Sequence, residues 1–297
     1  MSLDTVIAVS RLPRRQVGCV TSVTERERGT LPRVVIAKRR LDTLLAERGL
    51  FDSRTRAAAA VIAGDVRVEG LTAQKPGQLV AEDAAVAVAE PPRYVSRAGI
   101  KLENALDTFG LDPAGRRALD VGAATGGFTD CLLQRGAAAV VTLDVAYGEL
   151  AWRIRNDPRV TVMERRNARS LEPGELPYPP DLIVVDVSFI SLTKVLPAVL
   201  DAAAPRFDCL ALVKPQFEAG RERVGKGGVV RSPEDRRAAL VAVGEHARTR
   251  LGAAVLGYAS SGLPGPAGNR ESFVWLAEGD RGGAVEDLNA AARRAEP

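Results

Sequence analysis

A chain of 297 residues with 46% hydrophobic content has room for one substantial core and a second, smaller domain. Three cysteines (Cys19, Cys131, Cys209) and a single histidine, His246, exclude a disulfide framework, a metal cluster and Ser-His-Asp chemistry, so any acid-base work falls to lysines and carboxylates. The net charge of +4 is unevenly placed: residues 1–93 hold 15 Lys+Arg against 11 Asp+Glu and the remainder is balanced at 26 against 26, which suggests a basic module with a polyanionic partner ahead of a neutral body.

The opening MSLDTVIAVSRLPRR has too short an apolar segment for a secretory signal, and no stretch reaches the roughly 20 apolar residues of a membrane span. A cytoplasmic protein without membrane contact is expected, as a monomer. Residues 1–37 mix Arg, Thr, Pro and Val without period and predict a disordered extension.

A domain is predicted over 38–90. Leu41, Leu44 and Leu45 recur at helical spacing until Gly49; Ser53 can cap a second helix that ends at Gly64; Val66 and Val68 then alternate with Arg67 and Glu69 as a strand. The pattern helix, S/D-R, helix, G-x-V-x-V resembles the S4-type RNA-binding domain. That resemblance implies that Arg40, Arg54, Arg56 and Arg67 face RNA phosphates. Asp52 and Asp65 stand where such domains carry basic or neutral residues, which implies weaker binding.

Pro91 and Pro92 open a linker over 91–97, since proline ends strand pairing. The second domain, 98–297, reads as alternating strands and helices, with strands near 117–121, 139–144, 181–186, 208–214, 253–259 and 272–277. This predicts an α/β fold, a doubly wound Rossmann-like sheet with helices on both faces. Cys131 and Cys209, set among apolar neighbours, are expected in its core.

The first strand closes on Asp120 and opens into a glycine-rich loop, Gly122-Ala-Ala-Thr125-Gly126-Gly127-Phe128, ahead of a short helix with Leu132 and Leu133 inward and Gly136 as its stop. Asp144 follows the next strand 24 positions after Asp120, near the spacing at which a carboxylate binds ribose hydroxyls. The loop has neither the GxGxxG of a dinucleotide fold nor the GK[ST] of a P-loop, so a nucleoside ligand without phosphates, such as S-adenosylmethionine, fits better. Asp120, Gly122, Ala123, Thr125, Gly126, Gly127 and Phe128 are expected to frame its methionine end, Asp144 its ribose and Asn167 its adenine.

Asp186 and Lys214 each follow a four-residue apolar run and so lie at carboxyl ends of parallel strands, the rim where ligands bind in open α/β sheets. Glu271 precedes the last strand and shares that rim if the strand is antiparallel. Lys101, in a helix that Ser96 can cap, reaches it from the side. Singly, each reads as an ordinary surface lysine or element-end acid; two cations and two anions beside a nucleoside loop read as a site.

SRAGIKL (96–102), DVGAATGGFT (120–129), DVAYGELAW (144–152), DVSFISL (186–192), LVKPQFE (212–218), GKGGVV (225–230) and LPGPAGNRESF (263–273) together resemble the TlyA family over about residues 38–290. Its members join an S4-type domain to an FtsJ-like methyltransferase domain. The resemblance implies a class I methyltransferase fold, S-adenosylmethionine as cofactor, and 2′-O-methylation of cytidine in ribosomal RNA of the large subunit and, for some members, of the small one. It also implies a catalytic set of Lys101, Asp186, Lys214 and Glu271. The chain departs from the R-x-W-V common between the two domains, having Pro92-Arg93-Tyr94-Val95. Two alternatives stand beside this reading: a non-catalytic RNA-binding factor in ribosome assembly, and a membrane-active protein, since the family also carries the label hemolysin. A pseudouridine synthase, another bearer of S4-type domains, has no use for the cofactor loop.

Overall fold

A computed structural model describes residues 37–90 and 92–296. The disordered extension expected over residues 1–37, and Cys19 with it, lies outside these apart from Ala37. The chain divides into two compact units, one up to Pro91 and one from Pro92 onward.

In the first unit a strand, β1 (Lys38–Arg40), runs directly into α1 (Leu41–Glu47), and α2 (Arg54–Ala63) follows. Ser53 accepts a hydrogen bond from the Arg56 amide and Gly64 closes α2 in the left-handed conformation, as their positions predict. Four short strands complete the unit: β2 (Val66–Val68), β3 (Leu71–Thr72), β4 (Leu79–Ala81) and β5 (Val86–Val88). The order β3-β2-β5 forms one antiparallel sheet and β1-β4 a second. Leu41, Leu44, Leu45, Ala57, Val61 and Val66 share one small core.

The second unit begins with α3 (Ala98–Phe109) and continues through β6 (Arg117–Val121), α4 (Gly127–Gln134), β7 (Ala139–Leu143), α5 (Trp152–Arg155), β8 (Val160–Met163) and β9 (Leu182–Val185). It closes with α6 (Leu196–Asp201), β10 (Asp208–Val213), α7 (Pro215–Glu218), α8 (Pro233–Arg250), β11 (Ala254–Ser260), β12 (Ser272–Ala277) and α9 (Leu288–Ala295). The seven strands lie in the order β11-β12-β10-β9-β6-β7-β8, with β10 through β8 mutually parallel and β12 antiparallel to both neighbours. Apolar runs such as Leu182-Ile-Val-Val185 are buried on both faces because alternate side chains enter two cores. Ile183 and Val185 meet residues of α6, α8 and α9, while Leu182 and Val184 meet Leu102 and Leu106 of α3 and Leu132 of α4. Cys131 and Cys209 are fully buried in these cores.

Every expected strand of this unit forms within a residue or two of its predicted bounds. β8 was not expected. It is a four-residue edge strand, paired only with β7 and half buried, so its alternation is too brief to stand out from the loop after Pro158.

Candidate active site

Because β6, β7, β9 and β10 are parallel, the loops that follow them open on one rim, and the antiparallel β12 begins there. The register pairs Val213 with Ser272, which sets Lys214 and Glu271 side by side at adjoining strand ends. Asp186 follows β9, and its amide donates to Val121 O at 2.8 Å. Gly122, with φ of +84°, comes so near that a Cβ there would lie 2.4 Å from Asp186 O; glycine is required. Gly126, at φ +91°, likewise leaves no room for a side chain against Leu150.

The four rim residues form two ion pairs. Lys101 Nζ donates to Glu271 Oε2 at 2.5 Å, with Lys101 only 7% and Glu271 3% exposed. Lys214 Nζ lies 2.6 Å from Asp186 Oδ1, off the hydrogen-bonding directions, and donates to Ser188 Oγ at 2.9 Å. Ser96 does not cap α3: the helix starts at Ala98, Arg97 is its N-cap, and no side chain fills that role. Ser96 Oγ instead fills the space beside Gly127 where a Cβ would stand.

Asp120 is fully buried. Its Oδ2 accepts from Thr129 Oγ1 at 2.6 Å and from the Thr129 amide at 3.0 Å, which holds the start of α4, while Oδ1 has no partner. Burial pushes its carboxyl up to about 7; Thr129 opposes the shift, and the charges of Asp186 and Asp144 add to it. Asp144 accepts from the Ala124 and Ala146 amides, both at 2.8 Å, and lines a small cavity with Ala123, Ala124, Glu149, Leu150 and Glu164. Ala124 holds a positive φ of 46° to present that amide.

Three expected cofactor residues have other immediate surroundings. Phe128 is 2% exposed and its ring packs on Phe273 with centroids 5.8 Å apart, so it belongs to the core and only its backbone borders the loop. Thr125 is exposed and its carbonyl accepts from the Ala151 amide. Asn167 accepts from the Arg169 amide at 3.0 Å, capping a short 3-10 turn outside the cavity lining.

Ser188, Glu164, Phe189 and Phe217 are not among the site residues expected from sequence. Phe189 is 92% exposed, holds φ of +63°, and stands with its ring 5.4 Å from that of Phe217, beside the Asp186–Lys214 pair. The repeated spacing of each phenylalanine three residues after a rim charge was the available signal.

In the first unit Arg40, Arg54, Arg56 and Arg67 are all exposed. Arg40 and Arg54 converge on Asp42, 3% exposed, at 2.7 and 3.1 Å. Hydrogen bonding from Arg40 holds the Asp42 carboxyl below the usual range. Arg56 pairs with Asp52 at 2.7 Å.

This is a small two-helix module ahead of a methyltransferase-type sheet whose rim carries a glycine loop and paired charges. Sequence comparison agrees on both parts: the S4 domain model matches residues 39–86 and the FtsJ-like methyltransferase model residues 94–278. The chain belongs to the TlyA family of proteins that join an S4 domain to an FtsJ-like methyltransferase domain. It is 49% identical to the 16S/23S rRNA (cytidine-2′-O)-methyltransferase TlyA of Mycobacterium tuberculosis, over 86% of this chain and 96% of that one. It is 40% identical to Hemolysin A of Brachyspira hyodysenteriae, over 65% of this chain and 80% of that one. Among solved structures, a protein named as a hemolysin from Streptococcus thermophilus matches with TM-score 0.65 and 37% identity, over 88% of this chain and 96% of that one. The match to the FtsJ-like methyltransferase model and to the rRNA methyltransferase relative does not favour the membrane-active alternative. No helix among the described residues is long and apolar enough to cross a membrane.

Proposed function

We propose that this protein is an S-adenosylmethionine-dependent ribosomal RNA (cytidine-2′-O)-methyltransferase. The observation that carries the reading is the meeting of Lys101–Glu271 and Lys214–Asp186 on the rim that also bears the Gly122–Gly127 loop. The residues fit the cofactor. Asp120, Asp144 and Asp186 crowd negative charge, and Asp120 Oδ1 is buried without a partner, which favours a ligand carrying positive charge. Asp120 and the Gly122–Gly127 backbone would hold the methionine end, Asp144 the ribose, and the cavity by Glu164 the base. S-adenosylmethionine supplies an electrophilic methyl on a sulfonium.

A ribose hydroxyl is a weak nucleophile, so the protein must place it and take its proton. Lys214 anchors the 2′-oxygen and receives its proton as the methyl is transferred; Asp186 and Ser188 fix its position. Lys101, held by Glu271, orients the sugar and its phosphate. The exposed Phe189, with the half-buried Phe217 beside it, offers a face on which a nucleobase turned out of the helix can stack. The first unit adds affinity through Arg40, Arg54, Arg56 and Arg67, whose contacts with phosphates need little sequence choice. Replacing Lys214 with alanine should abolish methyl transfer to ribosomal subunits while leaving cofactor affinity within about a few fold; retained turnover removes Lys214 from the mechanism.

A further inference from the structure

Asn269 is 1% exposed, and its side-chain amide makes two backbone hydrogen bonds to another loop: Oδ1 accepts from the Val230 amide at 2.9 Å and Nδ2 donates to Gly228 O at 2.8 Å. Only this orientation satisfies both partners, since an amide hydrogen needs an acceptor and a carbonyl a donor. The side chain thus pairs with the loop much as a neighbouring strand would.

The segment it grips is exposed from Gly225 to Gly228, bears Lys226, and turns through Gly227 and Gly228, both at positive φ. Two backbone hydrogen bonds close the turn, from the Gly225 amide to Val229 O at 3.0 Å and from the Gly228 amide to Gly225 O at 3.1 Å. Two consecutive glycines give this backbone many alternatives, so its shape depends on outside contacts. Arg236 holds the far end, donating to Arg231 O at 2.6 Å, and Asn269 holds the turn itself.

The other side of Asn269 leads to the active site. Its carbonyl accepts from the Gly265 amide at 2.8 Å. Gly265 lies so close to Glu271, two residues beyond Asn269, that a Cβ there would meet Oε1 at 2.4 Å. One buried residue therefore ties a cationic glycine turn to the loop wrapped over the Lys101–Glu271 pair.

We infer that Asn269 is a positioning residue for the RNA substrate: it holds the Gly225–Val230 turn in fixed relation to Glu271, so that Lys226 meets a phosphate beside the nucleotide being methylated. The inference rests on the methyltransferase reading. Asn269 itself touches neither substrate nor reacting atoms.

The test uses the full chain with Asn269→Asp, which keeps the acceptor for Val230 but sets an oxygen against Gly228 O, and Asn269→Ala as the second variant. Steady-state methyl transfer to ribosomal subunits, filter binding of the same RNA and calorimetric S-adenosylmethionine binding are measured with and without Lys226→Ala. The expected result is a KM for RNA raised about tenfold, the equivalent of losing one fixed phosphate contact, with kcat within about threefold and cofactor affinity within about twofold. Lys226→Ala should raise KM in the wild type yet add little in either Asn269 variant, because contacts that act together are not additive. A purely structural Asn269 would lower thermal stability and leave the Lys226 effect at full size; that additivity, or an unchanged KM, overturns the inference. Should both Asn269 variants fail to fold, Lys226→Ala alone decides, since an unchanged RNA KM for it defeats the proposal. Wild-type protein that transfers no methyl defeats the functional reading instead, and the filter-binding cycle then still shows whether Asn269 acts through Lys226.

Discussion

Asp186→Asn isolates the carboxylate that holds Lys214. The substitution keeps the shape of the side chain and the Asp186 amide's bond to Val121, and removes only the charge 2.6 Å from the Lys214 ammonium. Breaking a fully buried pair costs about 3–5 kcal/mol and an exposed one about 0–1. With 12% and 18% of the two side chains exposed, the loss here falls between, at roughly 1–3 kcal/mol after allowing for solvent screening. In a unit of this size that lowers the melting temperature by about 2–4 °C per kcal/mol. The catalytic effect should be larger, because Lys214 keeps only Ser188 as a partner and a small misplacement of a reacting group costs about 100-fold. Single-turnover methyl transfer at saturating RNA and cofactor should slow by about 100- to 1,000-fold, with both affinities within a few fold. A rate within about fivefold of wild type, in a protein whose melting temperature has fallen as expected, would refute the idea that Asp186 acts by placing Lys214.

The buried Asp120 predicts a pH effect of defined sign. Its folded carboxyl titrates at about 7 against about 3.9 for an unfolded aspartate, so its contribution to stability is full below about pH 4 and is lost as pH rises through 7, at most roughly 4 kcal/mol. Denaturant unfolding at pH 5 and pH 8 should show the wild type losing stability relative to Asp120→Asn toward the higher pH; parallel curves would contradict this. In the first unit, Arg40→Ala and Arg54→Ala should each lower the slope of log K against log salt for RNA by about 1 and leave cofactor binding unchanged. An unchanged slope would mean that these arginines serve only to neutralise Asp42.

Several sequence signals of short range match the structure, the Ser96 cap being the exception. The Ser53 cap, the Gly64 stop and the apolar runs of the parallel strands all depend on neighbours within a few residues, and each appears where expected. The convergence of Lys101, Asp186, Lys214 and Glu271 was legible because strand ends in an open α/β sheet share a rim once the strand direction is known. The facing of the Phe128 ring was not legible because position in the loop does not reveal which way a side chain turns, and the ring packs on Phe273, 145 residues away. Asn269 and Glu218 escaped notice for a related reason. Their partners are remote: Glu218 accepts from Ser191 Oγ at 2.6 Å and from the Leu192 amide at 2.8 Å, 27 and 26 residues back, and binds the loop carrying Phe189 to the helix carrying Phe217. Burial raises the Glu218 carboxyl above its ordinary range, a perturbation that composition alone cannot show. β8 was lost because four half-buried residues on a sheet edge carry too little pattern.

The most direct measurement is nucleoside mass spectrometry of ribosomal RNA after incubation with S-adenosylmethionine and either the wild-type protein or Lys214→Ala. A new 2′-O-methylcytidine with the wild type, and none with the variant, is the result expected from two charge pairs that place and deprotonate a ribose hydroxyl. A methyl found on a base, or the same ribose methylation with both proteins, would contradict that chemistry.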